Sequence, residues 1–158
     1  MKVYFVIIGI FIILIFNSNL ANANILTKCG SSEGWAYYFE GGMVPPGQGG
    51  WTKDEISGGV IEVHISSGSV DIVFKDATGG VYRHSALGGN VQIINMVRQA
   101  DGGSMFIIAV ENSETALLES YLFKLNSFGA GVVLWSSMRS GGIFPKASLM
   151  KAPCYPPG

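Results

Sequence analysis

Gly59-Val60-Ile61-Glu62-Val63-His64-Ile65-Ser66, then Ser67-Gly68, then Ser69-Val70-Asp71-Ile72-Val73-Phe74-Lys75-Asp76 is the stretch whose reading decides the fold. Its apolar residues recur at every second position, the period of a half-buried strand. A two-residue turn at Ser67-Gly68 sets Ile65 against Val70, Val63 against Ile72 and Ile61 against Phe74, all on one side. That is a consistent core face. The same register sets Glu62 against Val73 and His64 against Asp71 on the other side, a polar mixture suited to solvent.

Outward from this hairpin the pattern repeats. Strands are expected at Gly34 to Glu40, Val81 to Leu87, Val91 to Gln99, Met105 to Glu111, Leu117 to Leu125, Val132 to Met138 and Ala147 to Lys151. Between them stand Thr78-Gly79-Gly80, Gly88-Gly89-Asn90, Asp101-Gly102-Gly103, Phe128-Gly129-Ala130-Gly131 and Gly141-Gly142. Connections this short force sequential strands to run antiparallel, because a parallel crossover needs a dozen or more residues. The expected fold is all-β, an antiparallel meander of about eight to nine strands that buries one face and protects its edges. Short sequential hairpins favour an up-and-down barrel; a two-layer β-sandwich is the alternative.

At the amino terminus Lys2, the apolar run Val3 to Phe16 and Ala21-Asn22-Ala23 read as a signal peptide cleaved after Ala23. Fourteen apolar residues at about 1.5 Å each span about 21 Å, short of the roughly 30 Å hydrocarbon core. Removing 23 of 158 residues leaves 135, Asn24 to Gly158, enough for one domain with a sizeable core. Lys2 leaves with the signal, so nine basic residues face eleven acidic ones, a net charge of −2. That balance offers no footprint for nucleic acid, and no integral membrane association is expected after cleavage. The expected location is periplasmic or extracellular. In that compartment the two cysteines, Cys29 and Cys154, are expected to form a disulfide that links the ends of the domain.

Catalytic patterns are weak. Gly30-Ser31-Ser32-Glu33-Gly34 fits GxSxG, but it precedes a strand rather than forming a strand-to-helix elbow. The carboxylates Glu33, Glu40, Asp54, Glu55 and Glu62 show no spacing that fixes a hydrolytic pair. The two histidines, His64 and His84, could join Asp71 around a metal, yet they lack HxH or HExxH spacing, and a strand histidine opposite an aspartate usually forms a surface pair. No metal, cofactor or enzyme activity is therefore expected.

The longest irregular segment, Gly41 to Ser57, carries Pro45-Pro46, Gly49-Gly50 and Trp51. Loops of this length are uncommon and often functional. With Tyr38 on the preceding strand, Trp51, Pro45 and Pro46 are the expected binding residues. Trp35, Tyr37 and Phe39 share the other face of that strand and are expected to point into the core.

Three segments carry a resemblance: Gly34-Trp35-Ala36-Tyr37-Tyr38-Phe39-Glu40-Gly41-Gly42, Gly50-Trp51-Thr52-Lys53-Asp54-Glu55-Ile56-Ser57-Gly58-Gly59 and Pro145-Lys146-Ala147-Ser148-Leu149. They resemble an uncharacterised family of small exported bacterial β-rich proteins. The resemblance implies export and a single β domain, and nothing about chemistry. The functional expectation is a non-catalytic domain that binds a protein or a cell-envelope component through the Gly41 to Ser57 segment. The alternative is a small-ligand carrier with an internal barrel pocket.

Overall fold

The computed structural model describes residues 24 to 141 and 143 to 158; the expected signal peptide and Gly142 of the Gly141-Gly142 turn lie outside the described residues. Eleven strands make up the fold: β1 Asn24–Cys29, β2 Ser32–Tyr38, β3 Gly50–Ile56, β4 Val60–Ser66, β5 Ser69–Lys75, β6 Val81–Arg83, β7 Asn90–Arg98, β8 Ser104–Asn112, β9 Leu117–Leu125, β10 Gly131–Arg139 and β11 Lys146–Tyr155. A single 3-10 turn, Ser85–Leu87, follows β6, and the described residues contain no α-helix.

The deciding hairpin folds in the expected register, with Ile65 opposite Val70, Val63 opposite Ile72 and Ile61 opposite Phe74. Ser67 (φ 40°) and Gly68 (φ 87°) both take left-handed backbone, the type I′ geometry whose twist matches that of the flanking strands. All strand pairs are antiparallel. In the order β6-β5-β4-β1-β11-β10-β9-β8-β7, nine strands curl into a half-barrel.

Two strands exceed the expectation. β1 lies between β4 and β11, so the amino-terminal strand joins the two ends of the meander. β3 occupies Gly50–Ile56, in the carboxy-terminal part of the segment expected to be a loop, and pairs along all seven residues of β2. Its residues read as irregular because the consecutive charges Lys53-Asp54-Glu55 break any apolar alternation. The ladder with β2 supplies the order. The β2–β3 hairpin leans on the first half of β11, from Lys146 to Lys151, and β1 takes over at Cys154. Pro153, which has no N–H to donate, stands at this change of partner, where a proline in a strand costs least.

β6 is shorter than expected, ending at Arg83 rather than Leu87. Asp71 takes the Ser85 backbone N–H at 3.3 Å and its hydroxyl at 2.5 Å, and Gly88 closes the 3-10 turn in left-handed backbone. Side-chain capture of a backbone N–H competes with the strand ladder, and here it wins.

On the concave face the inward residues stack in layers. One end is filled by Phe106, Phe123, Leu125, Val133 and Ala152 around the Cys29–Cys154 disulfide. Those two cysteines are direct cross-strand partners on β1 and β11. Burying a phenylalanine of this kind contributes about 2 to 3 kcal/mol. The other end is open.

Two expectations about faces are corrected. The outer side of the deciding hairpin is not a solvent face: Glu62 is 2% exposed and Asp71 7%. Glu62 accepts from Lys75 at 2.8 Å, faces His64 Nε2 at 2.9 Å and lies 3.9 Å from Lys28, while Asp71 holds Arg83 at 3.0 Å. Charges from β1, β5 and β6 converge there, neighbours that a single hairpin does not reveal. On β2 it is Ala36 that points inward and is buried, so Trp35, Tyr37 and Phe39 face outward. Tyr37 meets Phe39 and Trp51 edge-on, at 5.0 and 5.5 Å between ring centroids.

Candidate functional site

The open end of the half-barrel encloses a cavity of about 690 Å³. Strand alternation and register build one wall of it in three rows. Nearest the filled end, Met150, Trp135 and Tyr121 are cross-strand neighbours on β11, β10 and β9. Above them Ser148, Ser137 and Glu119 stand side by side, and above those Lys146, Arg139 and Leu117 form the rim. Each row is one step of two residues along the strands, so polar residues at buried positions of three adjacent strands fall into line. Facing this wall, Ile61 of β4, Phe74 of β5, Tyr82 of β6 and Leu87 of the 3-10 turn supply apolar surface.

Glu119 is the central polar group. It is 6% exposed, and its Oε2 accepts from the Tyr121 hydroxyl at 2.5 Å and lies 3.2 Å from His84 Nε2. Burial pushes the Tyr121 hydroxyl well above its ordinary pKa, and the Glu119 charge and hydrogen bond push it further in the same direction. Tyr121 therefore keeps its proton and acts as a fixed donor. Both partners address Oε2; Oε1 makes no hydrogen bond among the described residues.

Around this centre the remaining polar groups differ in how well they are satisfied. Lys146 bridges to Asp54 at 3.1 Å and lies over the Tyr38 ring at 5.5 Å. Asn112 donates to the Leu87 carbonyl at 2.7 Å and accepts from the Thr115 N–H at 3.1 Å, pinning the 3-10 turn to the loop after β8. Arg139 is exposed at the rim and forms no ion pair among the described residues. Ser148, 7% exposed, has a buried hydroxyl with no hydrogen-bond partner among the described residues. A buried hydroxyl left unpaired costs free energy.

The residues expected from sequence fall elsewhere. Tyr38, Pro45 and Trp51 come together along a shallow depression of about 440 Å³, with Met43 and Phe144 beside them. Pro46 is exposed and does not line it. Trp51 stands on β3 rather than in a loop and is 67% exposed. His64 and His84 do not converge: His64 meets Glu62 on the outer face, and His84 meets Glu119 inside the cavity. Asp71 is occupied by Arg83 and Ser85. Ser32, the serine of the GxSxG match, lies buried on β2 and accepts from the Trp135 indole at 3.1 Å, so it occupies a strand and not an elbow.

Sequence reading missed Glu119, Tyr121, Ser137, Ser148 and Arg139. A signal was present: Glu119 shares its strand face with Leu117, Tyr121 and Phe123, Ser137 with Val133 and Trp135, and Ser148 with Met150 and Ala152. A polar residue at an inward position on three strands is the pattern to look for. Compared with known proteins, the chain matches no protein-family model, no curated protein and no solved structure.

Proposed function

We propose that this chain is an exported, non-catalytic β protein that binds a small ligand in the open end of its half-barrel. The observation that carries the reading is the cavity, where the row of Ser148, Ser137 and Glu119, with Glu119 Oε1 free of hydrogen bonds among the described residues, faces an apolar wall. A concave, largely apolar site with a few convergent polar groups is the usual form of a small-molecule pocket. The Cys29–Cys154 pair supports export, since such bridges persist in oxidising compartments.

The neutral dye Nile red tests the cavity. Its fluorescence is expected to rise on binding the native protein, and Arg139→Trp, which places a bulky ring at an exposed rim position, is expected to remove that response while circular dichroism stays unchanged. Dye binding that survives the blocked rim sinks the reading. Export is tested by thiol titration of the denatured, unreduced protein recovered from periplasm or medium, where no free thiol is expected.

A second reading is favoured by the depression beside Trp51. Its exposed indole, held edge-on by Tyr37, suits contact with a protein or envelope component. Crosslinked adducts of the exported protein that disappear in Trp51→Ala support this contact, and adducts indifferent to that change remove it.

A further inference from the structure

We infer that the cavity takes a neutral polyhydroxylated ring, a mono- or disaccharide, with its carbon face toward Phe74 and its hydroxyls toward the β9–β11 wall. This rests on the proposal that the cavity holds a small ligand. The two walls differ in chemistry. Phe74 offers an aromatic surface on one side, and Ser148, Ser137 and Glu119 offer a row of hydroxyls and a carboxylate on the other. Serine hydroxyls donate or accept, Glu119 Oε1 accepts, and Arg139 only donates. A ligand that satisfies such a mixed row must itself carry groups that both donate and accept, which is the property of a hydroxyl.

Charge points the same way. Among the acidic and basic chains lining the cavity, Lys146 is paired with Asp54 at 3.1 Å, which leaves Glu119 and Arg139 to offset each other. The sum is zero, so the wall holds no net charge to attract an ion. An apolar chain lying along it would leave Ser148 Oγ unpaired, as it is in the free protein, and would cover Glu119 Oε1 without pairing it, at the cost of a further unsatisfied group. A carboxylate-bearing chain gains Arg139 at the rim and still leaves the middle row unpaired.

The experiment is an NMR titration of the full folded domain with methyl glucoside, N-acetylglucosamine and maltose, set beside dodecanoate and phenylacetate. At least one saccharide is expected to move the Trp135 indole N–H and the Ser148 amide in a saturable way. Ser148→Ala and Glu119→Gln are each expected to weaken that saccharide by about fivefold to tenfold, the loss of one hydrogen bond. Arg139→Ala, at an exposed position that tolerates change, is expected to weaken it as well if either buried variant fails to fold. Dodecanoate or phenylacetate shifting those resonances while no saccharide does overturns the inference and leaves the small-ligand proposal standing. Silence from every probe, with Nile red binding also indifferent to Arg139→Trp, overturns both.

Discussion

Two buried glutamates, each facing a histidine, mark the two sides of this sheet. Glu62 meets His64 at 2.9 Å on the outer face, and Glu119 meets His84 at 3.2 Å inside the cavity. The difference lies in what else surrounds them. Glu62 is saturated by Lys75 and Lys28, whereas Glu119 has one neutral donor, Tyr121, and an oxygen left over beside the cavity. A carboxylate enclosed by opposite charges is a structural group. One held by a tyrosine hydroxyl and a histidine, and open on one side, is available to a ligand.

The comparison breaks most sharply by neutralising each glutamate. Glu62→Gln is expected to lower unfolding free energy in urea by about 2 kcal/mol, below the full cost of breaking a buried pair because Lys28 and Lys75 stay 37% and 43% exposed. Glu119→Gln, which keeps the shape and an acceptor for Tyr121, is expected to cost about 1 kcal/mol and to act mainly on ligand binding. Equal losses in the two variants would erase the distinction.

Acid sharpens it further. Burial raises the Glu62 carboxyl, but the hydrogen bonds from Lys75 and His64 and the charges of Lys75 and Lys28 outweigh burial and hold it below its ordinary value of 4.5. Its contribution to stability is then complete above 4.5 and is lost as pH falls through the lowered folded value. Thermal unfolding across that window should show an acid limb that Glu62→Gln flattens.

At alkaline pH the order reverses. The raised Tyr121 value means its contribution is complete below the ordinary 10.0 and is lost as pH rises above it toward the folded value. Tyr121→Phe is expected to cost about 1 to 2 kcal/mol at neutral pH, by removing a donor from a buried carboxylate, and to flatten the alkaline limb of the melting profile. The smallest effect belongs to Ser148→Ala. Removing a hydroxyl that already lacks a partner should change stability by less than about 1 kcal/mol, while affinity for the cavity ligand falls. A large loss of stability would show that Ser148 has a structural partner.

Much of the frame was legible in the chain. The Val60 to Lys75 hairpin could be registered residue by residue because a two-residue turn leaves one pairing, and β9 and β10 stood out by their alternation. β1 and β3 were not legible. Asn24 to Cys29 and Gly50 to Ile56 pair with strands distant in sequence or break apolar alternation with consecutive charges, so local pattern carries no trace of their partners. Trp35, Tyr37 and Phe39 were misplaced for a related reason: alternation says that they share a face but not which face is buried, and the small Ala36 side was the one that packed.

By itself the sequence determined an all-β chain with antiparallel neighbours, one hairpin register and a pair of cysteines at the two ends of the domain, because period-two alternation and short turns are local properties. Tertiary structure alone decided that β1 closes between β4 and β11, that Glu62 is buried among lysines, and that Ser148, Ser137 and Glu119 line up across three strands. Those outcomes depend on pairings between segments far apart in the chain, and a register between distant strands is set by how whole faces pack.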